Sequence, residues 1–150
     1  MLPSTVRRVP GHTGRRQNRR IRERQHRNVA AWSRRSPRDI AGRLRRLDRE
    51  WDIERTLETN AAAIGLTGIA LGAFVNRWLL ILPTLVTGFL LQHALQGWCP
   101  PLPLLRRLGF RTSREIDEER NALKAFRGDF ESIGRGSRRS GRGVLAAARR

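Results

Sequence analysis

Two apolar stretches decide the fold: Ala61 to Val75, AAAIGLTGIALGAFV, and Trp78 to Cys99, WLLILPTLVTGFLLQHALQGWC. Between Thr59 and Cys99 the only charged residue is Arg77, which with Asn76 separates the two runs. In water, helices this apolar on every side would need a large surrounding shell to bury them. The flanks are too charged to supply one. A helix rises about 1.5 Å per residue and needs roughly 20 residues to cross a hydrocarbon core of about 30 Å. The second run meets that length, with Trp78 and Trp98 placed where indoles favour the two membrane interfaces. The first run is shorter and recruits Thr59 and Asn60. A buried helical hairpin in a soluble domain fits the first run alone and the second poorly. The apolar run begins near residue 60, which does not fit a signal peptide.

Outside this segment the chain is strongly basic. Its 150 residues carry 31 Lys+Arg against 13 Asp+Glu, a formal charge of +18, and Lys124 is the single lysine. The charge is confined to the flanks, so the sequence does not describe a uniformly soluble globule. One cysteine, Cys99, excludes a disulfide-stapled domain and a structural zinc module. Asn76-Arg77 leaves room only for a tight turn, and the two runs therefore read as an antiparallel helical hairpin. Near the membrane, Arg43, Arg45, Arg46, Arg49 and Arg55 lie before the hairpin and Arg106, Arg107, Arg111 and Arg114 after it, against Arg77 alone in the turn. The positive-inside rule places both termini in the cytoplasm.

Within the first run, Gly68 and Gly72 form a GxxxG pair, and Ala61 with Gly65 a second pair of small residues. Such surfaces allow close backbone approach in lipid. They serve either to seat the second span of the same chain near Gly88, the favoured reading, or to pair two copies. Pro83 lies early in the second span, where its missing donor is tolerated or bends the helix. Gln92, His93 and Gln96 cluster toward the far end, where interhelical hydrogen bonding or snorkelling is their expected role.

Residues 1–36 form an Arg-rich arm with little apolar surface, expected to be disordered in isolation. Tethered to a bilayer, it would meet anionic head groups. Nucleic acid is disfavoured as its partner, because few aromatics interleave the arginines. The same composition resembles an organellar transit peptide. Over 37–58, Ile40, Leu44, Leu47, Trp51, Ile53 and Leu57 recur at helical spacing, giving an amphipathic helix that Pro37 opens. Its stripe continues through Ala61 and Ile64, which favours one continuous helix into the first span. After Cys99, Pro100-Pro101 stops the second helix. Residues 100–130 then give an interfacial segment and a second cytoplasmic helix, opened by a capping box at Thr112–Glu115 and ended at Gly128. The acids at 115–119 read as a solvated face, and residues 131–150 as a flexible basic tail. Trp51, Trp78, Trp98, Arg106 and Arg107 are the expected interface anchors.

The fold class is thus an all-α membrane protein: a two-span transmembrane hairpin (59–75 and 78–99) with flanking cytoplasmic amphipathic helices and disordered basic tails. No catalytic constellation, phosphate loop or metal spacing appears, and no cofactor or metal is expected. Cys99 is the one candidate for reactivity, as a sulfur acceptor or a Cys-Pro haem ligand activated by Arg106 and Arg107, against the reading of a buried inert thiol.

The residues Trp51–Arg55, the NRW turn at 76–78, GFLLQHALQGWCPPLPLLRRLGFRT at 88–112 and REIDEERNALKAFRGDF at 114–130 resemble the bacterial YgaP-like transmembrane-domain family of inner-membrane proteins. The GWCPP element at 97–101 carries the resemblance most firmly. Some relatives follow a rhodanese, a sulfurtransferase with its own catalytic cysteine, and the membrane part is thought to dimerise. Cys99 matches the membrane part and no rhodanese domain is present, so the resemblance implies an inner-membrane hairpin without sulfurtransferase activity. The expected function is a non-enzymatic anchoring or interaction element of the bacterial inner membrane, with sulfane-sulfur handling through Cys99 as one alternative. Binding of nucleic acid or anionic lipid by the arm is the other.

Overall fold

The computed structural model describes Ser4 and residues 7–131, and the expected basic tail at 132–150 lies outside the described residues. These residues fold entirely into helices and connecting turns. In order they are α1 (Arg8–Gly11), α2 (Arg15–Trp32), α3 (Pro37–Leu47), α4 (Ile53–Phe74), a 3-10 turn (Arg77–Leu80), α5 (Ile81–Gln96), α6 (Leu102–Leu108) and α7 (Ser113–Arg127). The chain divides into two compact units. Among the described residues, those up to Ile21 join Trp51–Arg114 in the first, and Arg22–Glu50 joins residues 115–131 in the second.

The first unit holds the apolar hairpin. Asp52 caps α4, its Oδ1 accepting from the Arg55 amide at 2.7 Å, and the Ile53 amide donates to the Arg111 carbonyl at 2.9 Å. From there α4 runs unbroken through the first apolar stretch. At the turn, Asn76 Oδ1 accepts from the Trp78 amide at 3.0 Å and starts the return. Pro83 falls in the first turn of α5, where a missing N–H leaves no intrahelical bond unmade. Thr67, Thr84 and Thr87 donate their hydroxyls to the carbonyls of Ala63, Leu80 and Pro83 at 2.7–2.9 Å. Each hydroxyl is therefore satisfied by the carbonyl one turn back.

Both hairpin helices are long and apolar enough to cross a membrane, Ile53–Phe74 with 22 residues and Arg77–Gln96 with 20. Only 17% and 6% of their apolar windows are buried, whereas a core helix of a soluble protein is mostly buried. Leu66, Phe74, Ile81 and Leu91 point away from the protein, Phe74 with 90% of its surface exposed.

At the opposite end from the turn, Val9, Ile53, Leu57, Cys99 and Leu102 form a buried cluster, with Trp98, Leu105 and Phe110 packed against it. Burial of each large aliphatic side chain contributes on the order of 1.5–3 kcal/mol. The second unit has its own cluster, Ile40, Leu44 and Leu47 of α3 with Ile116 and Leu123 of α7, and Trp32 beside it. Ser36 caps α3 ahead of Pro37, accepting from the Asp39 amide at 3.2 Å.

Four expectations change. Residues 15–32, read as part of a disordered arm, form the helix α2. Apolar burial contributes little to it, since Ile21 is its one buried residue. Polar anchors act instead: Asn18 Nδ2 donates to the Pro10 carbonyl at 2.8 Å, and Gln25 Nε2 to the Glu115 carbonyl at 3.2 Å. Arginine is also a good helix former. The amphipathic helix over 37–58 is not continuous with the first span. It ends at Leu47, and the Asp52 cap starts a new helix, so Leu44 and Leu47 enter one core while Ile53 and Leu57 enter the other. The second hairpin helix ends before the two prolines, because Gly97 adopts φ 78°, the left-handed C-terminal conformation. Finally, the acids at 115–119 are not all solvated. Glu119 is fully buried and accepts from Arg43 Nε at 3.0 Å and Nη2 at 2.7 Å.

Candidate functional site

The hairpin helices approach over Gly68 and Gly72. A Cβ added at Gly68 would lie 2.7 Å from Pro83 Cδ, and one at Gly72 would strike the Leu80 side chain and stand 3.2 Å from the Leu80 nitrogen. The GxxxG pair therefore seats the second helix of the same chain, with Pro83 and Leu80 as its partners. Gly88 is not at that contact. In an antiparallel pair with a turn this short, Gly72 faces Leu80, so Gly88 sits farther along α5. Added Cβ atoms at Gly65 and Gly88 would meet nothing within 4 Å. Ala61, the remaining small residue, is half-buried on the wall of a cavity.

That cavity, of about 430 Å³, lies within the first unit at the end of the hairpin away from the turn. Ala61 and Ile64 of α4, Phe89 and His93 of α5, and Cys99 with Pro100 line part of it. The spacing that brings them together is simple. Residues 57, 60, 61 and 64 share one face of α4, and residues 86, 89, 90 and 93 share one face of α5. Gly97 then turns the chain so that Cys99 and the prolines close one side. Among the described residues that line the cavity, none is charged. Its size falls in the range of small-molecule sites, and its walls are mostly apolar with a few polar groups, as such sites require.

His93 is the unusual wall residue. It is 5% exposed, and neither ring nitrogen has a hydrogen-bond partner among the described residues. An unsatisfied buried polar group costs about 1–3 kcal/mol, which sets His93 apart from a residue kept for packing. Asn60 donates from Nδ2 to the Thr56 carbonyl at 2.7 Å, so its side-chain oxygen keeps accepting capacity. The sequence places His93 in the polar cluster of the second run and assigns that cluster to interhelical bonding or snorkelling. The α4 face it would have to bond carries Leu57, Ala61 and Ile64, with Asn60 the single polar side chain.

Cys99 is buried at 3% exposure, and burial pushes its thiol pKa above the ordinary value. The activating field expected from Arg106 is directed elsewhere. Arg106 is itself buried at 2% exposure, its guanidinium donating to the Phe110 carbonyl at 3.1 Å and to Asn18 Oδ1 at 2.9 Å. It ties α2 to α6 rather than standing at a surface as an interface anchor. Arg107 is exposed, as an anchor would be. Trp78 is 76% exposed at the turn, Trp51 is 44% exposed with the Arg55 guanidinium 4.6 Å over its ring, and Trp98 is half-buried against the first core. The described residues contain no group of three His, Cys, Asp or Glu side chains placed to hold a metal ion.

On α2, Arg15, Arg16, Arg19, Arg20, Arg22, Arg24 and Arg27 are all exposed, giving a helix that is basic on most of its surface. No family model, curated protein or solved structure matches the chain.

Proposed function

We propose that this chain is a two-span protein of the bacterial inner membrane, with both termini in the cytoplasm, acting as a non-enzymatic anchoring or interaction element. The observation that carries the reading is the outward apolar surface of α4 and α5. Side chains such as Leu66, Phe74 and Ile81 are exposed on helices that pack on each other over Gly68 and Gly72. A hydrocarbon surrounding makes that arrangement favourable. Nine arginines flank the hairpin on the side of the termini and one lies in the turn, which supports cytoplasmic ends. The exposed arginines of α2 suit anionic lipid head groups, each contributing about 1 kcal/mol when near such a surface. The resemblance to the YgaP-like transmembrane-domain family agrees with this placement. Sulfur handling through Cys99 has less support, since a buried thiol with a raised pKa is a poor nucleophile.

Ultracentrifugation of lysed cells tests the reading: the protein pellets with membranes, resists carbonate extraction and dissolves only in detergent. Reporters fused at either end are active in the cytoplasm. Recovery in the detergent-free supernatant, or an external signal from either end, overturns it.

A further inference from the structure

We infer that the cavity between α4, α5 and the Cys99–Pro101 segment binds the ring of a lipophilic quinone. This rests on the membrane reading above, because the ligand would arrive through the hydrocarbon layer. Three observations select the chemistry. The cavity holds about 430 Å³ and no charged side chain lines it, so it suits a neutral ring and disfavours a phosphate or carboxylate head group. His93 stands in the wall nine-tenths buried, with both ring nitrogens lacking a partner. A neutral imidazole has one donor and one acceptor, which match the carbonyl of a quinone and the hydroxyl of its reduced form. Asn60 gives one Nδ2 hydrogen to the Thr56 carbonyl, so its second Nδ2 hydrogen adds a donor for a quinone carbonyl on the facing helix, and its oxygen an acceptor for the reduced form. Phe89 and the rings of Pro100 and Pro101 supply the apolar walls against which a planar ring packs.

The His93 nitrogens have almost no exposed surface in this conformation. Head-group binding is therefore coupled to a local shift of the lining residues, and the isoprenoid or alkyl tail leaves along the exposed apolar surface of α5. Lipid acyl chains would also fill the cavity, but they would gain nothing from His93 or Asn60. That difference separates a quinone site from a greasy cleft.

The test uses the full chain purified in detergent micelles, titrated with decylubiquinone while tryptophan fluorescence is followed, since Trp98 lies beside Cys99. The expected result is saturable quenching that decylbenzene, which has no hydrogen-bonding groups, does not compete away. His93→Leu weakens binding at least fivefold, Asn60→Ala weakens it by less, and Ala61→Phe, which fills the wall, abolishes it. Quenching that rises linearly without saturation, equal competition by decylbenzene, or wild-type affinity in His93→Leu overturns the inference. If the variants do not fold, by circular dichroism, the wild-type saturation and competition decide alone. A protein that requires detergent but shows no saturable binding overturns this inference and leaves the membrane reading standing. One that is soluble without detergent overturns both.

Discussion

Arg8 Nη1 donates to the Ala94 carbonyl at 2.7 Å, so a residue near the start of the chain caps the C-terminal end of α5. The last carbonyls of a helix lack intrahelical donors, and a cation there also meets the negative end of the macrodipole. Gly97 makes the approach feasible. A Cβ at this position would lie 2.5 Å from Arg8 Cβ, and its φ of 78° already disfavours any other residue. Arg8→Ala is expected to cost about 1 kcal/mol and Gly97→Ala more, on the order of 2 kcal/mol, because strain adds to the lost contact. The two effects should be less than additive in the double variant, since either change disrupts the same cap. Unfolding in detergent by urea or SDS titration measures all three, and full additivity would separate the two residues.

The four glycines of the hairpin divide into two classes by what an added methyl would strike. Gly68→Ala and Gly72→Ala push against Pro83 and Leu80, and each should destabilise the hairpin by about 1–3 kcal/mol, the usual cost of overpacking. Gly65→Ala and Gly88→Ala meet open space and sit in helices with negative φ, so they should be neutral or stabilising by up to about 1 kcal/mol. Thermal denaturation in micelles distinguishes the classes. A loss of stability in Gly65→Ala or Gly88→Ala only at high protein concentration would instead place those residues in a contact between copies.

The hairpin was legible because its signals are one-dimensional: run length, the absence of charge, and a two-residue turn. The GxxxG pair could be read for the same reason, although its partner could not. Antiparallel register with this turn brings Gly72 to Leu80 and Gly68 to Pro83, and a search for small residues alone pointed to Gly88. The two cores were only half legible. Ile40, Leu44, Leu47, Ile53 and Leu57 form one stripe on paper, but the Asp52 cap divides them between different partners. The helix α2 was missed because its anchors are side-chain amides, Asn18 and Gln25, whose bonds to distant carbonyls leave no periodic trace. His93 was visible as a polar residue near the end of the second apolar run. That it lacks a partner depends on the facing helix, which composition does not reveal.

Glu119 illustrates the same limit and makes a prediction. It is fully buried on α7 and takes two donated hydrogens from Arg43, whose side chain remains 18% exposed. Glu119→Gln keeps the shape but removes the charge, and should cost about 1–2 kcal/mol, since charge-assisted bonds are roughly twice as strong as neutral ones. By contrast Asp48→Asn, which loosens the exposed ion pair with Arg120 at 2.8 Å, should change stability by less than about 0.5 kcal/mol. Hydrogen exchange in α3 and α7 would report the difference. Equal protection loss in the two variants would show that the buried pair contributes no more than the surface one.

Cys99 gives a pH-dependent prediction that also tests the sulfur alternative. Burial raises its thiol pKa above the ordinary value, opposed only in part by a backbone hydrogen bond from Leu102. The thiolate is the reactive form, so at any pH below the folded-state pKa the native protein holds a smaller thiolate fraction than the unfolded chain. Maleimide labelling of the native protein at neutral pH should therefore be slow, and fast after denaturation, with the native rate climbing only above the pH range where a free thiol titrates. The sign for stability follows from the same shift. The unfolded chain releases this proton first, so the contribution of Cys99 to stability is intact at neutral pH and declines as pH rises through the unfolded value. Cys99→Ser places a hydroxyl in the core beside Val9 and Leu102 and should destabilise by about 1–3 kcal/mol, whereas Cys99→Ala should cost less. Rapid native labelling at neutral pH, with a rate equal to that of the denatured protein, would revive Cys99 as a reactive centre.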